Sequence, residues 1–311
     1  MNEPLSYSPE EIGKMLKISR GTVYELLKRG EIPSYRVGKK IRINKTDLQE
    51  YMHAPEAPVQ STAAHIQNSL EKLIIENQGL IVCGQDIVLD VLTRYMEKKN
   101  PMLRSLRSYV GSIDGLLALY KGTSNITATH LWDGETGEYN IPYVRRLLPG
   151  QRTVIITLVY RNLGFYVAQG NPKAIYDWPD LLKPNVTFIN RDRGSGTRVM
   201  LDEQLRNLNL DGRDIQGYQN EETTHIAVAS TVARGLADVG LGIEKDALQV
   251  PDVEFIHLQK ERYDLVLYKN DLKKSNFQTM LAILRSDEFK EEVNGMGGYD
   301  TSRMGEIVGE L

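Results

Sequence analysis

The sequence is poorest in cysteine, with a single one, Cys83, in 311 residues. That excludes an internal disulfide framework and fits a reducing compartment; with no base beside it in the chain, Cys83 reads as a buried structural thiol. No apolar run approaches the roughly 18 residues of a membrane span. The polar start Met1-Asn2-Glu3-Pro4 is not that of a signal peptide, so a cytoplasmic protein without membrane contact is expected. Neither sign of charge dominates. The 38 lysines and arginines against 41 acids leave a formal charge of −3, which supplies no global attraction to nucleic acid. The five histidines, His53, His65, His130, His225 and His257, show no HxxxH or carboxylate spacing for a metal. A nucleophile elbow, a Walker A loop, a GxGxxG fingerprint and a convincing acid/base pair are also lacking. A non-catalytic protein with neither metal nor resident cofactor is expected.

What is present is ordinary in bulk and local in detail. A 41% hydrophobic, 25% charged composition is that of a globular protein, and the length allows two to three domains. The first 52 residues carry ten lysines and arginines against seven acids, leaving 28 against 34 for the remainder. There, Ser8-Pro9-Glu10-Glu11 starts a helix with a capping box and proline at the first position; Ile12, Met15 and Leu16 give its apolar face. Ser19 caps a second helix with Val23, Leu26 and Leu27 inward and a stop at Gly30. Two short helices so joined read as a helix-turn-helix, which leaves Ser19, Arg20, Thr22, Tyr24 and Lys28 to meet DNA. A hairpin through Ile32–Ile43 follows, with Arg36, Lys39, Lys40 and Arg42 around the Gly38 turn, and then a third helix introduced by Asn44, Thr46 and Asp47. Residues 6–52 resemble the MerR/excisionase-type winged helix-turn-helix, in which a basic wing contacts the DNA backbone. The resemblance implies a double-stranded DNA operator as partner.

After a linker with Pro55 and Pro58, Ile66, Leu70, Leu73 and Ile74 recur at helical spacing. That helix can pair with its copy or pack on the next domain; a homodimer is the default, because one recognition helix reads few base pairs. From residue 80 strands and helices alternate. Strands are predicted at Leu80–Gly84, Arg107–Ser112 and Asn125–His130, and a strand pair over Thr153–Val167. A further strand follows at Ala237–Ile243, the segment Val253–Tyr268 returns to the first lobe, and helices fill the intervals. Such alternation argues a parallel α/β sheet with its ligand at the carboxyl ends of the strands. The predicted domains are 1–52, a connecting segment 53–78, and a two-lobed 79–311. Its first lobe covers about 79–155 and 258–311, its second about 156–257.

The most informative stretch is Asn190-Arg191-Asp192-Arg193-Gly194-Ser195-Gly196-Thr197-Arg198, after the apolar run Val186–Ile189. A strand ending in a glycine turn at a helix start leaves backbone N–H groups beside the positive end of the dipole, a seat for an oxyanion. The glycines are also what any tight strand-to-helix turn requires. Arg191 or Arg193 is expected to face the ligand, with Arg198 on the helix surface. The junctions at Cys83-Gly84-Gln85 and Gly111-Ser112 fall on the same edge. His130 and Trp132 follow another strand there, His225 begins a helix at that edge, and Tyr263 sits between lobes; each fits packing as well as ligand contact.

Residues 80–303 closely resemble the periplasmic-binding-protein-like domain related to molybdate-binding proteins, which occurs fused to a helix-turn-helix in bacterial regulators. The likeness rests on Thr129–Asp133, Glu135–Asn140, Tyr143–Gly150, Asn190–Arg198, Ala237–Ile243, Glu261–Asp264 and Gly298–Arg303. It implies a type II fold with parallel sheets and an inter-lobe cleft, and molybdate or tungstate as ligand. Ser195, Gly196 and Thr197 stand where tungstate-binding relatives have a Ser-Gly-Thr turn, and Ser112 matches a first-lobe serine. Gly84 and Gln85 stand where relatives often offer Ser or Thr. The candidate ligand set is therefore Gly84, Gln85, Ser112, Thr129, His130, Arg191, Arg193, Gly194, Ser195, Gly196, Thr197, His225 and Tyr263. Cleft arginines also suit a carboxylate, a phosphate ester or the pterin that carries molybdenum. The expected function is an anion-responsive transcriptional regulator.

Overall fold

The computed structural model describes residues 6–28, 32–38, 40–53 and 79–311. It divides into two units, Met1–Leu70 and Glu71–Leu311. The first contains β1 (Ser6–Tyr7), α1 (Pro9–Leu16), α2 (Arg20–Lys28), β2 (Tyr35–Val37), β3 (Lys40–Asn44) and α3 (Lys45–His53). The capping box forms: Ser8 N donates to Glu11 Oε2 at 2.7 Å and Glu11 N to Ser8 Oγ at 3.4 Å. A left-handed Lys17 (φ 56°) ends α1, and Ser19 Oγ accepts from Thr22 N at 3.1 Å to start α2. Ile12, Val23, Ile32, Ile43 and Leu48 are the buried core of this unit. The hairpin β2–β3 turns at Gly38, whose φ of +63° suits glycine. Unforeseen from the sequence, β1 pairs with β3 to make a three-stranded wing sheet. The predicted stop at Gly30, the wing residue Lys39 and the helix through Ile66 and Ile74 lie outside the described residues.

In the second unit the elements are β4 (Gly79–Cys83), α4 (Val88–Lys99), β5 (Arg104–Ser108), α5 (Ser112–Tyr120), β6 (Ile126–Thr129), α6 (Ile141–Leu147), β7 (Thr153–Ala168), β8 (Phe188–Arg191), α7 (Gly196–Asn207), β9 (Glu221–Glu222), α8 (His225–Ala233), β10 (Val239–Ile243), α9 (Glu244–Ala247), β11 (Val253–Tyr268), α10 (Ser275–Arg285), α11 (Asp287–Gly295), β12 (Tyr299–Asp300) and β13 (Ile307–Glu310). One sheet runs β5-β4-β6-β11-β7-β10-β8-β9, with β12 and β13 also on β7. Its two flanks are parallel, β5-β4-β6 on one side and β10-β8-β9 on the other. The expected parallel sheets thus hold at the flanks. Between them β7 and β11 pair antiparallel over 16-residue strands long enough to serve both lobes. Separate apolar clusters fill the lobes, one around Val82, Leu92, Phe277 and Phe289, the other around Phe165, Phe188 and Leu201.

Two element predictions need correction. Thr153–Val167 is one strand rather than a pair, because nothing in it turns. Its Gly164 instead permits close approach of β11, where a Cβ would stand 2.1 Å from Ile256 O. The strand predicted at Arg107–Ser112 ends at Ser108 and begins at Arg104. As the sheet edge, β5 is half uncovered, and its Arg-Ser-Leu-Arg-Ser pattern lacks the apolar signature of an inner strand. Cys83 is buried, 1% exposed. Among the described residues no helix is long and apolar enough to cross a membrane.

Candidate functional site

Where β7 and β11 pass between the lobes, a cavity of about 530 Å³ opens. Its floor is ionic. Arg161 of β7 and Glu261 of β11 are direct register partners, and their side chains form an ion pair, each at most 3% exposed. Arg161 Nη1 also donates to Asp86 Oδ2 at 2.6 Å, and its guanidinium lies 4.2 Å from the Tyr263 ring centroid. His130 Nδ1 meets the other Glu261 oxygen at 2.9 Å, while Tyr299 Oη donates to Asp86 Oδ1 at 2.7 Å. Burial alone would raise the Glu261 pKa, but Arg161 and then His130 outweigh it and hold the carboxyl well below its usual range. Each charge here has a partner, as burial demands.

The walls are helix starts. Asp86 Oδ1 accepts from Val88 N at 2.9 Å, so α4 is closed by its own carboxylate. At α5 the cap, Gly111, offers no side chain. At α7 the Ser195 hydroxyl is committed, accepting from Arg198 N at 3.2 Å and donating to Asp192 O at 2.8 Å. The ligand-facing donors of that turn are therefore its backbone N–H groups rather than the serine hydroxyl. Hydrogen bonds tie the lobes round the cavity: Ile113 N to Gly194 O at 3.0 Å, Arg191 Nη2 to Gln85 Oε1 at 2.7 Å, and Lys245 Nζ to Met296 O at 2.6 Å.

Arg191 ends β8 and is 2% exposed. Its Nε and Nη2 are held by Asp192, Gln85 and the carbonyls of Glu222 and Thr223; among the described residues Nη1 has no hydrogen-bond partner. Burial pulls its pKa down, with Asp192 opposing; an arginine stays charged regardless. His225, at the start of α8, is held well below its usual value by burial and then by Arg191, so it is neutral at pH 7. Asp246 of α9 also lines the cavity, and burial, then Asp86, pushes its carboxyl up to about 6. Ile87, Ile226 and Leu248 form an exposed apolar lip.

Of the residues singled out in the sequence, Gly84, Gln85, Ser112, His130, Arg191, Ser195, Gly196, His225 and Tyr263 line this cavity. The others do not. Thr129 is wholly buried in β6, and Thr197 is 1% exposed inside α7. Gly194 spends its carbonyl on Ile113. Arg193 points to solvent, with its side chain 74% exposed and paired to Glu221. Arg198 is not on the helix surface: its side chain is 4% exposed, salt-bridged to Asp202 and Glu221 and stacked 4.1 Å from the Tyr218 centroid. Glu221 of β9 and Tyr218 cover it. Trp132 packs against the second-lobe core instead of lining the cavity. Asp86, Arg161, Lys245, Asp246 and Tyr299 were missed as site residues, because they converge from segments far apart in sequence.

In the first unit Ser19, Arg20, Thr22, Tyr24 and Lys40 are exposed, and Arg42 is half-buried. Arg20 pairs with Glu10 at 3.0 Å and lies over the Tyr24 ring. Ser19 and Thr22 are linked through their hydroxyls at 2.8 Å. The side chains of Lys28 and Arg36 lie outside the description.

Comparison with known proteins adds relatives. Residues 6–54 match a helix-turn-helix domain model and residues 93–285 that of the PBP superfamily domain. The YvgK protein of Bacillus subtilis strain 168 is 38% identical over 320 residues, covering 99% of both chains. The sulfate-binding protein of Escherichia coli K12 is 29% identical over 147 residues, 42% of either chain. Among solved structures, a phosphate ABC transporter substrate-binding protein with bound phosphate from Clostridium perfringens shares the fold. It covers 71% of this chain and 98% of its own at 14% identity, with a TM-score of 0.53.

Proposed function

Because the chain belongs to the PBP superfamily and carries a helix-turn-helix domain ahead of that fold, we propose that it is a DNA-binding transcriptional regulator whose cleft senses a small anion. One observation carries the ligand reading. The buried Arg191 and the starts of α5 and α7 converge on a single cavity between lobes that already hydrogen-bond to each other. Backbone N–H groups and a desolvated guanidinium are a strong combination for negative charge. The reading is one of binding rather than catalysis.

Two ligand classes fit. Molybdate or tungstate, which the molybdate-binding resemblance implies, would sit on the α7 turn against Arg191, and the likeness to a sulfate-binding protein supports an oxyanion of that shape. A larger organic anion, the molybdenum-carrying pterin included, is favoured by a specific observation: the cavity of about 530 Å³ and its Ile87–Ile226–Leu248 lip exceed what one tetrahedral oxyanion needs.

The mechanism follows from differential binding. A ligand that bridges the lobes favours the closed arrangement, and equal affinity for open and closed forms would shift nothing. In a cytoplasmic homodimer on a double-stranded operator, closure would alter how two recognition helices are spaced. Calorimetry with molybdate, tungstate, sulfate and phosphate, paired with operator mobility shifts with and without the binder, tests this. A binder that leaves operator affinity unchanged removes the regulatory reading.

A further inference from the structure

We propose that the ligand of this cleft is an organic anion that also carries N–H or O–H donors, which Asp246 accepts. The inference rests on the anion-sensor reading and deepens it. Of the two carboxylates on the cavity wall, Asp86 is fully engaged by Arg161 and Tyr299. Asp246 is not. Its one hydrogen bond is a long 3.4 Å contact from Gln249 Nε2 on its own turn, and among the described residues no cation lies within ion-pair distance. A carboxylate accepts only.

Buried polar groups in native proteins are paired, and each exception asks what completes it. An acceptor left open in a ligand cavity asks for a donor on the ligand. Molybdate, tungstate and sulfate carry no hydrogen at neutral pH; they would satisfy Arg191 yet set bare oxygens against Asp246. An amino- or hydroxyl-bearing carboxylate satisfies both Arg191 and Asp246. Its carbon frame would rest on Ile87, Ile226 and Leu248, which are 50%, 45% and 77% exposed at the cavity mouth.

Two flat bicyclic carboxylates of similar size separate the possibilities: pterin-6-carboxylate, rich in N–H donors, and naphthalene-2-carboxylate, which has none. With the full chain in a calorimeter, the first is expected to bind at least tenfold tighter. Asp246→Asn should erode that advantage by weakening the pterin compound while strengthening molybdate and the naphthalene compound, anions that offer that carboxylate no donor; thermal melts check that the variant folds. Failure of the pterin compound to bind tighter overturns the proposal. Molybdate binding tightly to the wild type and weakening in Asp246→Asn overturns it too, while the anion reading stands as long as Arg191→Leu abolishes that binding. Affinities that ignore Arg191→Leu would overturn the anion reading itself.

Discussion

The His130 ring lies flat against the backbone of Gly196: a Cβ on Gly196 would stand 2.7 Å from its Nδ1 and Cε1. A first-lobe side chain thus rests on the first residue of a second-lobe helix, with Glu261 holding the Nδ1 edge of the imidazole. Gly196→Ala must displace the ring or part the lobes. Overpacking of this kind costs about 1–3 kcal/mol. A lowered melting temperature together with weakened anion binding is expected; a variant with wild-type values of both would show that the lobes yield freely here.

Arg191→Leu removes a cavity guanidinium with a donor to spare and also cuts the Gln85 tie between lobes. Hydrogen bonds to charged groups contribute about 1.5–3 kcal/mol, so anion affinity should fall roughly tenfold to a hundredfold. Arg193→Ala, on an exposed side chain, should change it little. Titration of both variants with the anion that binds the wild type best checks the contrast.

Asp246 and Glu261 have opposite pH signatures. Asp246 has its carboxyl raised from 3.8 to about 6, so the folded state holds its proton more tightly. Its contribution to stability is therefore present at low pH and lost as pH rises from about 4 to 6. Asp246→Asn should flatten that window and stabilise the unliganded protein at pH 7 by about 2 kcal/mol, allowing for some water access. Denaturant melts across pH 4 to 8 measure it.

Glu261 is depressed, so its contribution is present above its ordinary value near 4.5 and lost as pH falls. Glu261→Gln leaves Arg161 short of a buried counter-charge, which costs about 3–5 kcal/mol. The variant should melt far lower at pH 7 and approach the wild type in acid.

On the DNA side, Arg20 lies exposed at the start of α2, and Lys40 is exposed at the start of β3. Arg20→Ala should weaken operator binding more than random DNA; Lys40→Ala should weaken both about equally and reduce the salt slope. Equal losses for Arg20→Ala on the two DNAs would remove it as a base reader.

The sequence by itself determined the elements whose signals are local. Ser8 and Glu11 three residues apart cap α1, the strand Val253–Tyr268 ends where its apolar pattern ends, and glycines at 194 and 196 mark a strand-to-helix turn. Such signals act within one turn or one strand, so the chain carries them whole. The tertiary structure alone decided which arginine enters the cleft, because Arg191, Arg193 and Arg198 are alike in sequence and differ only in what covers them. It alone joined Arg161 to Glu261, one hundred residues apart, through the β7–β11 register. It alone left Asp246 without an ion-pair partner among the described residues, since an unpaired group is defined by what every other segment fails to supply.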